Sequence, residues 1–110
     1  MTTRIFILES AERDLKDLRR YILGNFTPTH WQSAYTGIKE AIRGLQKSPR
    51  SGVVPDEIAQ LGQTQYRQVL SGKNRIIYEI RADEVFVHVI VDMRRALSAH
   101  LSKRLLEREP

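Results

Sequence analysis

The stretch Tyr66-Arg67-Gln68-Val69-Leu70 is followed by Gly72-Lys73-Asn74-Arg75-Ile76-Ile77-Tyr78-Glu79-Ile80 and then by Val85-Phe86-Val87-His88-Val89-Ile90-Val91. Each piece is short, rich in β-branched or aromatic residues, and bounded by turn formers, which predicts a three-strand meander. Because side chains alternate along a strand, Ile76, Tyr78 and Ile80 share one face while Arg75, Ile77 and Glu79 share the other. Val85, Val87, Val89 and Val91 form a second row, with Phe86, His88 and Ile90 opposite. The valine row predicts the floor for packed helices. The opposite face is mixed yet too apolar to stay bare, so a partner segment, a dimer mate or the C-terminal tail is expected to cover it. Arg81-Ala82-Asp83-Glu84 reads as the turn between the last two strands.

Working outward toward the N-terminus, Trp31, Ala34, Tyr35, Ile38, Ala41, Ile42 and Leu45 hold helical spacing. Thr27 is placed to cap this helix, Pro28 suits its first position, and Pro49 ends it. Ala11, Leu15, Leu18 and Ile22 define an earlier helix, with Ser10 expected as its N-cap and Gly24 and Asn25 as stop signals. Glu12 and Asp14 in its first turn suit the positive helix end. The short break between the two helices predicts an antiparallel hairpin. Arg4 to Leu8 reads as a strand. Residues 48–64 read as loop with a brief apolar turn at Ile58 and Leu61. After the meander, Asp92 is expected to cap a last helix with Leu97, Leu101 and Leu105 in one stripe. The expected fold is α+β, an N-terminal strand and a two-helix hairpin on a mainly antiparallel sheet, in the order β-α-α-β-β-β-α.

The 110 residues suffice for one domain, 1–110, with a core that needs no metal or disulfide staple. There is no cysteine, which removes thiol catalysis and thiolate metal sites. No His/Asp/Glu group has metal-ligand spacing, and neither metal nor cofactor is expected. The only apolar stretch near the start, Ile5 to Leu8, is far shorter than a signal or membrane segment, so a cytoplasmic protein without membrane partners is expected. Net charge is +5, a field that attracts nucleic acid or an acidic protein surface. The charge is not segregated: residues 1–62 carry nine Lys/Arg and seven Asp/Glu, and residues 63–110 carry nine and six. Much of it is therefore expected to be solvated helix surface.

Four pieces carry a family resemblance: Ala11-Glu12-Arg13-Asp14-Leu15 through Tyr21, Leu45 through Pro49 with Gly52, Gly72 through Tyr78, and Asp92-Met93-Arg94-Arg95 with Leu101 and Arg104-Leu105-Leu106. In that order they resemble the ParE/RelE superfamily of toxins from type II toxin–antitoxin modules. The resemblance implies a cognate antitoxin that wraps the helical hairpin and sheet. It also implies one of two activities, inhibition of DNA gyrase (ParE-like) or ribosome-dependent cleavage of mRNA (RelE-like). A non-toxic antitoxin-binding module is the remaining possibility.

Metal-free RNA cleavage needs a base, cations for the phosphorane and an acid for the leaving oxygen. The resemblance places Arg75 at the family's central-strand arginine, Arg95 or Arg94 after the last strand, and Arg67 in place of a lysine. Yet Val69 stands where a second cation would alternate with Arg67, and Leu101 stands where a tail tyrosine is implied, with His100 one residue away. Arginine is a poor general base. The set Arg67, Arg75 and Arg95 is thus a nuclease candidate lacking its acid. As a binding surface, Arg67, Arg75, Arg94, Arg95 and Arg104 suit a ParE-like toxin. Beside these readings, Arg75 is equally placed to pair with Glu79, and Tyr78 and His88 suit sheet packing. Trp31, Tyr35, Phe86 and His88 are the candidates for antitoxin contact, although Trp31 and Tyr35 also suit a helix core.

Overall fold

The computed structural model describes residues 3–93, so Arg94, Arg95, His100, Leu101, Arg104 and the expected last helix lie outside the described residues. Strand β1 (Arg4–Ile7) leads into α1 (Glu9–Asn25), α2 (Pro28–Gly44) and a one-turn α3 (Asp56–Ala59). The meander follows as β2 (Tyr66–Ser71), β3 (Asn74–Arg81) and β4 (Glu84–Asp92). One sheet has the order β1-β4-β3-β2. Strand β1 runs parallel to β4, and the other pairs are antiparallel. The hairpin connection after β3 turns at Ala82, which takes φ 55°.

The helical hairpin forms as its sequence signals dictate. Thr27 caps α2, its side chain accepting from the His30 N–H at 3.2 Å, with Pro28 at the first position. Helix α1 ends where Asn25 donates its carboxamide to the Tyr21 carbonyl at 2.8 Å. Ala11, Leu18 and Ile22 of α1 and Ile38, Ile42 and Leu45 from α2 and its cap are buried against Ile76, Tyr78, Val85, Val87 and Ile90. On the far side of the sheet a smaller cluster joins Ile58, Tyr66, Ile77 and Val89. Thus α3, inside the stretch read as loop, buries Ile58 completely and covers part of the mixed sheet face.

Two expectations are corrected. The valine row does not stay on one face. Ile77 pairs with Val89 but Tyr78 pairs with Val87, so His88 is the extra residue of a β-bulge. Val85 and Val87 face the helices, then Ile90 does, while Val89 and Val91 pack with the far cluster. Ser10, in turn, is not the cap of α1. The helix starts at Glu9 after Leu8 and has no side-chain cap. Ser10 is buried and donates its hydroxyl to the His88 carbonyl at 3.3 Å. One turn on, Asp14 accepts from the Ile90 N–H at 3.1 Å. Strand β1 pairs with β4 only as far as Val87. Beyond that point, helix side chains at i and i+4 satisfy backbone groups that a neighbouring strand would otherwise bind.

Candidate functional site

Of the arginines singled out in the sequence, the two within the described residues, Arg67 and Arg75, do not converge. Arg67 lies opposite Tyr78 in the β2–β3 register, on the face toward the helices. Arg75 lies opposite Leu70, on the far face. A strand places neighbours of opposite parity on opposite faces, so the sheet itself separates the two guanidiniums.

Each also has an internal task. Arg67 donates to the Gly52 carbonyl at 2.8 Å and the Arg50 carbonyl at 3.5 Å. It thereby helps fasten the loop after α2 to the sheet. Arg75 donates to the Gln68 side chain at 2.7 Å and forms an ion pair with Glu57 of α3. Its side chain is only 16% exposed. Burial pushes the Glu57 carboxyl up, but the bond and charge of Arg75, with the residue's own backbone N–H, hold it below its ordinary value. Arg75 is thus engaged by Glu57, which α3 brings to it across the far face of the sheet.

Glu79 serves a different cluster. Its carboxylate lies 2.8 Å from the Arg81 guanidinium and 3.0 Å from His88 Nε2. The His88 ring stands edge-on to Tyr66 at 5.2 Å. Burial pushes the Glu79 carboxyl up, yet the hydrogen bonds and charges of Arg81 and His88 outweigh it and hold the group below its ordinary value. The bulge brings His88 to Glu79, and with 4% exposure His88 offers no ring to a partner protein. Phe86 is half-buried and stacked on Phe6 at 5.2 Å, with the Arg81 guanidinium 4.5 Å above its ring. Its ring is thus engaged within the chain.

Tyr78 is wholly buried and acts as a bolt. Its hydroxyl donates to the Pro49 carbonyl at 2.7 Å and accepts from the Gly52 N–H at 3.0 Å. Burial pushes its pKa up, against the lowering effects of Gly52 and the Arg67 charge. A tyrosine held neutral with both hydrogen-bonding capacities spent is a structural residue rather than a proton donor.

The hairpin surface carries an open groove. Trp31 and Tyr35 stack at 5.3 Å with 14° between their planes, and the Lys39 ammonium sits 4.5 Å above Tyr35. With Glu12, Leu15, Lys16 and Arg19 of α1 the two rings line a groove of about 400 Å³. An apolar and aromatic floor edged by Lys16 and Arg19, with Glu12 on the same helix and Lys39 over Tyr35, suits an amphipathic helix whose flanks are on balance acidic. Sequence reading found the two aromatic residues but not Lys16 and Arg19, although their i, i+3 spacing on α1 was a usable signal. It also missed Glu57 and Gln68, which approach Arg75 only through loop and strand placement.

The sequence matches the model of the ParE toxin of type II toxin–antitoxin systems (parDE) over residues 5–97. The chain belongs to the ParE toxin family. No curated protein sequence matches it. Solved structures reproduce the fold at low identity. The chromosomal ParDE system from P. aeruginosa aligns with TM-score 0.64 and 15% identity over 83% of this chain and 96% of that one. The RelBE2 toxin–antitoxin complex from Mycobacterium tuberculosis gives 0.56 and 19% over 84% and 99%. A mutant of E. coli toxin RelE in the free state gives 0.61 and 16% over the whole of both chains. The fold of this chain is therefore shared with RelE, and fold alone does not assign an activity. Among the described residues no group of His, Asp or Glu could hold a metal ion, and no helix is long and apolar enough to cross a membrane.

Proposed function

We propose that this ParE-family protein is a toxin that inhibits DNA gyrase by binding, without catalysis, and is neutralised by a cognate antitoxin. The observation that carries this reading is the separation of Arg67 and Arg75 onto opposite sheet faces, each engaged by the chain's own groups. Phosphoryl-transfer chemistry requires cations converging on one phosphate. Two guanidiniums with a sheet between them do not meet that need. Target contact then falls to Arg94, Arg95 and Arg104 of the tail, with Arg67 and Arg75 supporting the sheet from which the tail departs.

Induction of the protein without its antitoxin tests the reading through two measurements. Purified gyrase should lose supercoiling activity, and primer extension on cellular mRNA should show intact transcripts. Charge reversal at Arg94 and Arg95 should restore supercoiling. Cleaved transcripts with gyrase unaffected would replace this reading with the RelE-like endonuclease. Normal growth would leave the antitoxin-binding module.

The antitoxin contact is the groove beside Trp31 and Tyr35, where Lys16, Arg19 and Lys39 favour an acidic amphipathic segment. Tyr35 is 36% exposed, so its truncation removes little core. The Tyr35→Ala variant should bind the antitoxin about tenfold or more weakly, measured by calorimetric titration, with its melting temperature nearly unchanged. Full affinity in this variant, or a groove unprotected from hydrogen exchange in the complex, would place the antitoxin elsewhere.

A further inference from the structure

A cleft of about 610 Å³ lies on the outer face of α1, lined by Lys16, Arg19, Arg20, Leu23 and Gly24. These positions stand at i, i+3, i+4, i+7 and i+8, which is one side of a helix. Lys16, Arg19 and Arg20 are exposed, and half-buried Leu23 is the one large apolar side chain in the lining. The cleft shares Lys16 and Arg19 with the Trp31–Tyr35 groove.

No acidic side chain lines this cleft. The acids of the same helix are turned elsewhere. Asp14 accepts from the Ile90 N–H at 3.1 Å, and Glu9 pairs with Arg13 at 3.6 Å. Glu12 edges the neighbouring groove. Asp17 lies 3.4 Å from Arg20, but the two side chains are 61% and 81% exposed, and such a pair holds weakly. Among the described residues Lys16 and Arg19 have no ion-pair partner. Charge that is spread evenly along the sequence is thus gathered by the fold into three cations within about 6 Å of helix axis.

We propose that this face of α1 binds the phosphate backbone of duplex DNA. Three cations so close together call for closely spaced anions, and a duplex carries one charge per ~1.7 Å of its axis. The lining has no aromatic ring on which an unpaired base could stack, which sets it apart from a single-strand site. One leucine is too little apolar surface to anchor a protein helix, in contrast to the groove beside it. The guanidiniums of Arg19 and Arg20 clasp phosphate oxygens as forks, and Lys16 acts as a point charge. Helix α1 ends at Asn25, and its carbonyl end repels anions. The backbone therefore runs over Lys16, Arg19 and Arg20 rather than over Gly24. Contacts to phosphates alone carry no sequence information. No bond is made or broken, and the surface is distinct from the tail arginines proposed to meet gyrase.

The test is fluorescence anisotropy of the full chain, without antitoxin, on a labelled duplex of about 20 base pairs between about 50 and 200 mM salt. Two duplexes of unrelated sequence should bind alike. In the triple variant Lys16→Ala, Arg19→Ala, Arg20→Ala the slope of log affinity against log salt should flatten by about 2.7, since each phosphate contact contributes ~0.9. Its affinity at the lowest salt should fall about tenfold or more. The control triple Arg43→Ala, Lys47→Ala, Arg50→Ala removes the same charge at the end of α2 and just after it, and should keep most of the slope and affinity. All these side chains are exposed, and thermal melts confirm that both variants fold. Tighter binding of polyglutamate at equal charge would give the face to an acidic protein partner instead. An unchanged slope in the first variant, an equal loss in the control, tighter binding of a single strand, displacement by inorganic phosphate at matched ionic strength, or no binding at the lowest salt would each overturn the inference.

Discussion

Replacing Gly52 by alanine should destabilise this protein more than any other single methyl group added at its described glycines. A Cβ there would lie 2.5 Å from the Gln68 carbonyl oxygen, 3.0 Å from its carbon and 2.6 Å from the Tyr78 hydroxyl. The first two are backbone atoms in the middle of β2, and the third is the bolt that holds Pro49 and Gly52. None can yield without breaking a hydrogen bond. Overpacking together with a lost Tyr78 bond gives a cost of about 3 kcal/mol, or a fall in melting temperature of about 12–20 °C for a domain of this size. Gly37 is the control. Its Cβ would meet only the Ser71 hydroxyl, at 2.6 Å. That side chain can rotate away, and alanine favours the helix by up to about 1 kcal/mol. Gly37→Ala should therefore melt within a few degrees of the parent. Equal melting of both variants would show that the 49–52 loop is not pinned as described.

Glu79→Gln should have the second largest effect, and a pH-dependent one. At neutral pH the variant leaves Arg81 and buried His88 without their carboxylate, a loss of about 2–3 kcal/mol by the usual worth of hydrogen bonds to charged groups. The folded pKa of Glu79 lies below its ordinary value of 4.5. The group is thus ionised more readily folded than unfolded, and it binds more protons in the unfolded chain. Its stabilisation is fully present above about pH 4.5, and it is lost as pH falls through the lower folded value. Urea melts from pH 7 down to 3 should show the parent losing stability in the acid limb. The variant should start lower and lose less. Parallel curves for the two proteins would remove Glu79 from the acid response.

The periodic signals in the sequence resolved well where one element's own geometry sets the outcome. The meander, the Thr27-Pro28 start of α2 and the buried stripe Ala11, Leu18 and Ile22 follow from side-chain period and capping, which act within a few residues. Ser10 departs from its expected capping role for the complementary reason. Its local context fits a cap, but a carbonyl 78 positions away captures its hydroxyl. His88 and the valines after it escaped because a bulge inserts one residue into the alternation, and nothing in a run of β-branched residues marks the insertion.

The candidate site divides along the same line. The family, the basic charge and the identity of Arg67, Arg75, Trp31 and Tyr35 were legible from residue types in order. Which of them meet was not. Strand parity alone would have put Arg67 and Arg75 on opposite faces once the β2–β3 register was known, but register depends on a turn whose length the sequence leaves open. The partners Glu57 and Gln68 reach Arg75 across 18 and 7 positions. The sequence by itself determined the first strand, the helical hairpin, the meander, their order and the family, because helices and strands are written in local periodicity. Only the tertiary structure decided which charges are spent inside the protein and which remain for a partner, because ion pairs and buried hydrogen bonds form between groups that the chain brings together only when it folds.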